Sequence, residues 1–265
     1  MSPVWARAAA IVAPGLQGWD ESRAVLTGER LYAPAQLAPF QPRTLSANEA
    51  RRMTPTIRLA LEVAEALADS CSDDAAGLWS VFASPTGDLD IADRICRGLA
   101  LPDRPVSPTL FHNSVYNAPA GYWAIGSRCT GGSTSLAAGE GTFAAALLEA
   151  AVTVVAEGRR VLLVVYESSP PAAFSEALGV TAPVGLGLLL EPPGSREGHG
   201  TLRFSLSQGG AETRLEDPGL ESLRRGNPAA RGLPLLALIA RAGAAGAVVL
   251  PYRGDLSLVA ELAPP

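Results

Sequence analysis

The sequence predicts a layered α/β fold with a central mixed sheet and a buried helix, and three features carry that reading. Residues 133–166 run strand, tight turn, helix, strand. Small residues from Ser133 to Ala137 are followed by glycines, a helix face marked by Phe143, Leu147, Ala151 and Val154, a stop at Gly158 and the apolar run 161–166. That succession is the grammar of a sheet buried on both faces. Residues 55–69 place Leu59, Val63 and Leu67 four apart while Glu62 and Glu65 fall elsewhere, the pattern of an amphipathic helix. Residues 4–12 form an apolar run that stops at Pro14-Gly15, as a first strand entering a turn does.

The remaining elements follow in order. Residues 31–42 are proline-rich and read as a surface excursion. Ser46-Ala47-Asn48-Glu49 has the form of a capping box, and Thr54-Pro55 sets a capping residue before a proline suited to a first helical turn. Residues 79–83 read as a short buried strand closed by Pro85-Thr86-Gly87, with a helix over 91–99. Residues 107–121, rich in Pro, Asn and Gly, are expected to form a long ordered loop leading through 122–125 to the turn at Gly131-Gly132. Residues 184–190 and 201–207 are expected to pair as strands, 233–241 to form a helix, and 248–252 with 256–262 to close the chain as a hairpin through Arg253-Gly254-Asp255. Gly209-Gly210 reads as a loop turn. The division expected is an α/β core over 1–170 and a strand and helix extension over 171–265 packed on it.

Composition narrows the function classes. The chain has 265 residues, 48% hydrophobic, enough for an ordinary globular core, and a formal charge of −5. All 21 basic residues are arginines scattered along the chain, which argues against nucleic acid as a partner and offers no dense basic patch. Cys71, Cys96 and Cys129 make neither a metal spacing nor a disulfide framework, and the start lacks a signal pattern, so a reducing, cytoplasmic setting is expected. Apolar runs fall short of the roughly 20 residues a bilayer span needs, so no membrane span is expected. There is no phosphate loop, no nucleophile elbow around serine, no complete dinucleotide fingerprint and no metal-ligand spacing, and no cofactor is expected.

The central run from Ser107 through Phe111-His112-Asn113-Ser114-Val115-Tyr116-Asn117 to Tyr122-Trp123, continued by residues 131–149, resembles the short β-ketoacyl synthase N-terminal-domain proteins encoded alongside aryl-polyene and related acyl-chain assembly genes. The resemblance extends to residues 4–18, 51–68, 80–99 and 186–191, about two thirds of the chain. It implies a partial thiolase-like fold. In active members a cysteine sits on the turn between a short strand and a buried helix, where the helix N-terminus stabilises the thiolate and backbone N–H groups hold the oxyanion. Matched to that pattern, Ser133, Thr134 and Ser135 begin the strand, Phe143 starts the buried helix face, Gly139 falls in the nucleophile slot and Glu140 follows it. Neither forms a thioester. The family's chemistry also uses two histidines in the C-terminal half, whereas this chain has only His112 and His199, both in other contexts.

The resemblance therefore implies a non-catalytic subunit, similar to a chain-length factor, that docks on a catalytic ketoacyl synthase as a heterodimer and can be visited by an acyl carrier protein. The family pairs subunits beside the nucleophile strand, and a strand of small residues suits that pairing. Tyr116, Tyr122 and Trp123 are then candidate apolar anchors or tunnel walls. His112, Asn113 and Asn117 are candidates for a pocket role or for bonds to loop backbone. Glu140 reads either as a favourable charge in a first helical turn or as the filler of a degenerate site. Two other readings stand beside this one. Cys129, next to Arg128 and Gly131-Gly132, could be the nucleophile of an acyltransferase or hydrolase with His112 as base, or else a packed loop thiol. The chain could also be a stand-alone module binding acyl chains or acyl carrier protein. Cys71 and Cys96 read as packing residues.

Overall fold

The computed structural model describes residues 2–70, 75–194 and 197–265; Cys71 lies outside them. The N-terminal elements are β1 (Val4–Ala13), β2 (Leu16–Gln17), α1 (Trp19–Leu26), α2 (Ala47–Arg52) and α3 (Pro55–Asp69). The middle of the chain gives β3 (Trp79–Ala83), α4 (Leu89–Leu99), α5 (Pro108–Asn113), α6 (Ala118–Ser127), β4 (Ser133–Leu136), α7 (Thr142–Glu157) and β5 (Val161–Glu167). The rest is α8 (Ala172–Leu178), β6 (Val184–Glu191), β7 (Gly200–Gln208), α9 (Pro218–Arg225), α10 (Leu233–Ala240), β8 (Gly246–Arg253) and β9 (Leu256–Ala263).

One mixed sheet runs through the molecule in the order β4-β3-β5-β6-β1-β7-β9-β8, with β2 folded back on β1. The strands β4, β3 and β5 are parallel and every other pairing is antiparallel. The two segments expected to pair with each other, β6 and β7, do not. β1 lies between them and pairs with both, because its apolar faces satisfy the centre of the sheet better than a polar hairpin would.

Two cores flank the sheet. On one face α7 and α10 pack against alternate residues of the strands, among them Val81, Leu163 and Val165. On the other, α3 and α6 cover Phe82, Leu162 and Val164. An extra residue in β1, Arg7, breaks the alternation, so Ala6 and Ala9 share a face while Ala8, Ala10 and Val12 take the other. The predicted stripe of α3 lands on β6 where Gly185 and Gly187 leave room. A Cβ at Gly187 would come within 2.5 Å of Val63 and 2.7 Å of Leu67.

Thr54 caps α3 by accepting from the Ile57 N–H at 3.2 Å, with Pro55 in its first turn, and Ser46 caps α2 in the same way. Glu65, expected to face away from the core, is instead 2% exposed. It accepts from the Arg43 and Thr44 backbone N–H groups and from the Thr44 hydroxyl at 2.7 Å, which fastens the end of the 31–42 excursion to α3. Residues 107–121 are not a loop: Pro108 and Pro119 stand in the first turns of α5 and α6, where a missing N–H costs nothing. The 19-residue stretch Gly139–Glu157, a 3-10 turn and α7 together, is long and apolar enough for a membrane span, yet half of it is buried and α7 packs in the core. Cys96, read as a packing residue, is exposed on α4.

Candidate functional site

The segment that the sequence matches to a nucleophile site is built by β4, the turn after it and α7. β4 runs parallel to β3 in the register Ser80↔Ser133 to Ala83↔Leu136, and the Ser80 hydroxyl donates to that of Ser133 at 3.0 Å. Its chain then makes a single 3-10 turn, Gly139–Gly141, and enters α7. Gly139 has φ +55°, a left-handed conformation that costs glycine nothing. The Thr142 hydroxyl ties the turn together by donating to the Gly139 carbonyl at 2.7 Å and accepting from the Ala138 N–H at 3.0 Å. Gly141 lies so close to β8 that a Cβ there would sit 1.8 Å from the Tyr252 carbonyl oxygen.

The Glu140 carboxylate is largely exposed yet ion-paired. Its Oε2 accepts from Arg231 Nε at 2.9 Å and Nη2 at 2.7 Å, so the residue beside the nucleophile position is held by an ion pair. Arg231 belongs to a cluster drawn from residues 212–231: Arg214, Arg224, Arg225 and Arg231 line one depression together with Glu212 and Glu221. Arg224 is 3% exposed and is met by Glu221 and Glu212, each at 2.8 Å. The Arg224 guanidinium holds the Glu221 carboxyl below the usual carboxylate range. The expectation of no gathered basic surface is corrected to that extent, though the two carboxylates offset half of the charge of the four arginines. Arg231 carried no local signal, being 91 residues from its partner.

The other candidates divide between core and surface. Trp123 and Tyr122, expected as anchors, are 1% and 4% exposed and pack in the core beneath α3. The Tyr122 hydroxyl donates to Asn113 Oδ1 at 3.2 Å, and Asn113 Nδ2 donates to the Arg52 carbonyl at 2.8 Å, so both lock α2, α5 and α6 together. Tyr116 donates to the Ser84 carbonyl, and burial pushes its phenol up to about 12. Asn117 begins α6 without a side-chain capping bond. Of the expected anchors Tyr116 alone keeps an exposed side chain, and Phe111, Val115 and Ile125 are exposed beside it. Behind Tyr116, Glu167 is buried and accepts from Ser84, from the Thr86 N–H and from the Thr86 hydroxyl; burial raises its carboxyl above the ordinary value.

Cys129 and His112 are not brought together by any hydrogen bond. The Cys129 thiol donates to the Leu78 carbonyl at 2.8 Å, beside the entry to β3, while the Tyr116 segment that follows His112 meets the exit of that strand at Ser84. His112 is exposed and makes no hydrogen bond among the described residues. Thr134 Oγ1 donates to Glu149 at 3.4 Å, and Ser135 continues the edge strand. No group of three metal-ligating side chains occurs among the described residues. The slot therefore holds neither a thiol nor a paired base.

A strand of small residues passing through a tight glycine turn into a buried helix, on a mixed sheet covered on both faces, defines a ketosynthase-like α/β protein. The model of the β-ketoacyl synthase N-terminal domain matches residues 19–231, and the chain belongs to that family. Among solved structures it is similar to the ketosynthase (ApeO) in complex with its chain length factor (ApeC) from Xenorhabdus doucetiae, with 22% identity and TM-score 0.71 over 98% of this chain and 100% of that one. The ishigamide ketosynthase/chain length factor gives 16% identity and TM-score 0.73 over 99% of each chain. A type II polyketide ketosynthase assembly with its acyl-carrier protein, AntDE:AntF, gives 10% identity and TM-score 0.76, again over 99% of each. No curated protein matches. At these identities the structural likeness speaks for the fold.

Proposed function

We propose that the chain is a non-catalytic, chain-length-factor-like partner of a catalytic β-ketoacyl synthase in acyl-chain biosynthesis of the fatty-acid or aryl-polyene type, acting in the cytoplasm as one half of a heterodimer. The observation that carries the reading is the Gly139–Glu140 turn: it keeps a strand, turn and helix of the nucleophile-site kind but has a glycine in the nucleophile slot, followed directly by a carboxylate bound to Arg231. The partner is supported by β4, an edge strand of small residues, and by the exposed apolar Phe111, Val115 and Ile125 in the helical segment that precedes it. An acyl carrier protein visits the assembled pair.

The test is light scattering on the protein expressed alone and with the ketoacyl synthase encoded nearest to it. A 1:1 complex that extends acyl chains only when both subunits are present is the expected result. A protein that ignores the synthase overturns the proposal and moves the stand-alone binding reading forward.

A further inference from the structure

Residues 31–42 carry neither helix nor strand, and between them and α3 lies a groove of about 300 Å³. That is the small end of the range for ligand pockets, roughly 300–1,000 Å³. Leu37, Phe40, Leu59 and Pro183 supply its apolar walls, and Arg58 and Glu62 its charged groups. Its position is informative. β5 and β1 are both antiparallel to β6, so they end on the same side, and Ser168 and Ser169 just beyond β5 line the groove, which continues at Leu37 and Pro183 into a depression touching Pro14 beyond β1. Crevices off the carboxyl ends of strands are where open α/β sheets take ligands.

The wall is fixed in advance. Gln17 Nε2 donates to Glu62 Oε1 at 2.6 Å, and Gln17 Oε1 accepts from the Ala38 N–H at 2.9 Å, so one side chain bolts the excursion to α3. Thr56 and Ser168 share a hydrogen bond of 2.7 Å across the far end. Arg58 is the unmatched group. Its guanidinium donates to the carbonyls of Phe40 and Ala50, and it forms no ion pair among the described residues, Glu62 one turn away included. It also stands near the N-terminus of a 15-residue helix, the end that favours negative charge.

We propose that this groove binds a small carboxylic acid with an apolar body, its carboxylate on Arg58 and its hydrocarbon against Leu37, Phe40, Leu59 and Pro183. The site lies on the α3 face of the sheet, whereas the Gly139–Glu140 turn leads into α7 on the other face, so it stands independently of the partner-subunit reading. Glu62 is held toward Gln17 rather than toward Arg58.

Isothermal titration of the full chain with hexanoate and benzoate, against hexan-1-ol and benzyl alcohol as uncharged counterparts, tests the assignment. The acids are expected to bind at one saturable site about tenfold or more tighter than the alcohols, and Arg58→Gln to lose about that factor, as the removal of a charge-assisted hydrogen bond implies. Because Arg58 also holds the excursion, Ala38→Trp provides a second variant: it fills the groove from an exposed position and is expected to abolish binding while leaving the melting temperature unchanged. Equal affinity for acids and alcohols, no saturable heat at millimolar acid, or undiminished binding by either variant overturns the proposal.

Discussion

The sheet has two edges, and they are finished differently. At β8 the segment before α9 folds over the strand: the Thr213 N–H donates to the Val249 carbonyl at 2.9 Å, and the Val249 N–H donates to the Thr213 hydroxyl at 2.9 Å. Pro251 and a register irregularity beside it further spoil that edge for pairing. At β4 no such cover exists among the described residues. The Gly132 and Leu136 carbonyls accept from Ser80 and Ser84 of the β3 side, so by alternation Ser133 and Ser135 direct their backbone groups outward. Small side chains do nothing to block them. An edge that a lone protein ought to protect is therefore left open at the strand that leads into the degenerate slot, and the edge farthest from it is closed.

The contrast can be broken at four places. The largest effect is expected of Gly141→Ala, since the new Cβ collides with the Tyr252 carbonyl and must pry the slot turn off β8. Chemical denaturation should read a loss of about 1–3 kcal/mol or more, the cost of overpacking a close contact. Ser135→Pro removes one outward N–H from β4 and leaves its bonds to β3 in place. Affinity for the synthase should fall at least about tenfold with an unaltered melting temperature, because an interface acceptor loses its donor; a complex of wild-type strength would mean that β4 is not the interface. Thr213→Ala uncovers the Val249 N–H at the closed edge. A loss of about 0.5–1.5 kcal/mol and a concentration-dependent tendency to self-associate are expected, the latter followed by light scattering. Glu140→Gln is the mildest change. Its carboxylate is largely exposed, so stability should move by less than about 1 kcal/mol, and neither it nor Glu140→Cys should give condensation by the chain alone in an acyl-extension assay.

What the sequence carried, and what it did not, follows from how local each signal is. α3 was legible because its cap, its proline and its four-residue stripe all sit within one segment. The final hairpin was legible through Arg253-Gly254-Asp255, and β8 and β9 pair as expected. The strand, turn and helix over residues 133–157 were legible because small residues, glycines and an apolar helix face follow one another directly. α5 and α6 were misread since proline and glycine were weighed as breakers, although Pro108 and Pro119 occupy the positions where a helix accepts them. Trp123 and Tyr122 went inward because they stand on the face of α6 that packs beneath α3, leaving Phe111, Val115, Tyr116 and Ile125 outside. Glu140–Arg231 and the Gln17 bridge join segments 91 and 45 residues apart, and no local window of sequence contains both partners.

The place of β1 has a consequence for biosynthesis on the ribosome. Its neighbours are Trp5↔Glu191 on one side and Trp5↔Thr201 on the other, so β1 waits for β6 and β7, translated long after it, before it can be inserted. The parallel unit β4-β3-β5, by contrast, lies within residues 79–167 and is complete well before then. Long-range pairings of this kind form slowly and late. The open edge of β4 is thus in place while the apolar strand β1 is still unpaired, and a nascent chain halted between residues 167 and 184 would present both at once to whatever binds or misbinds sheet edges.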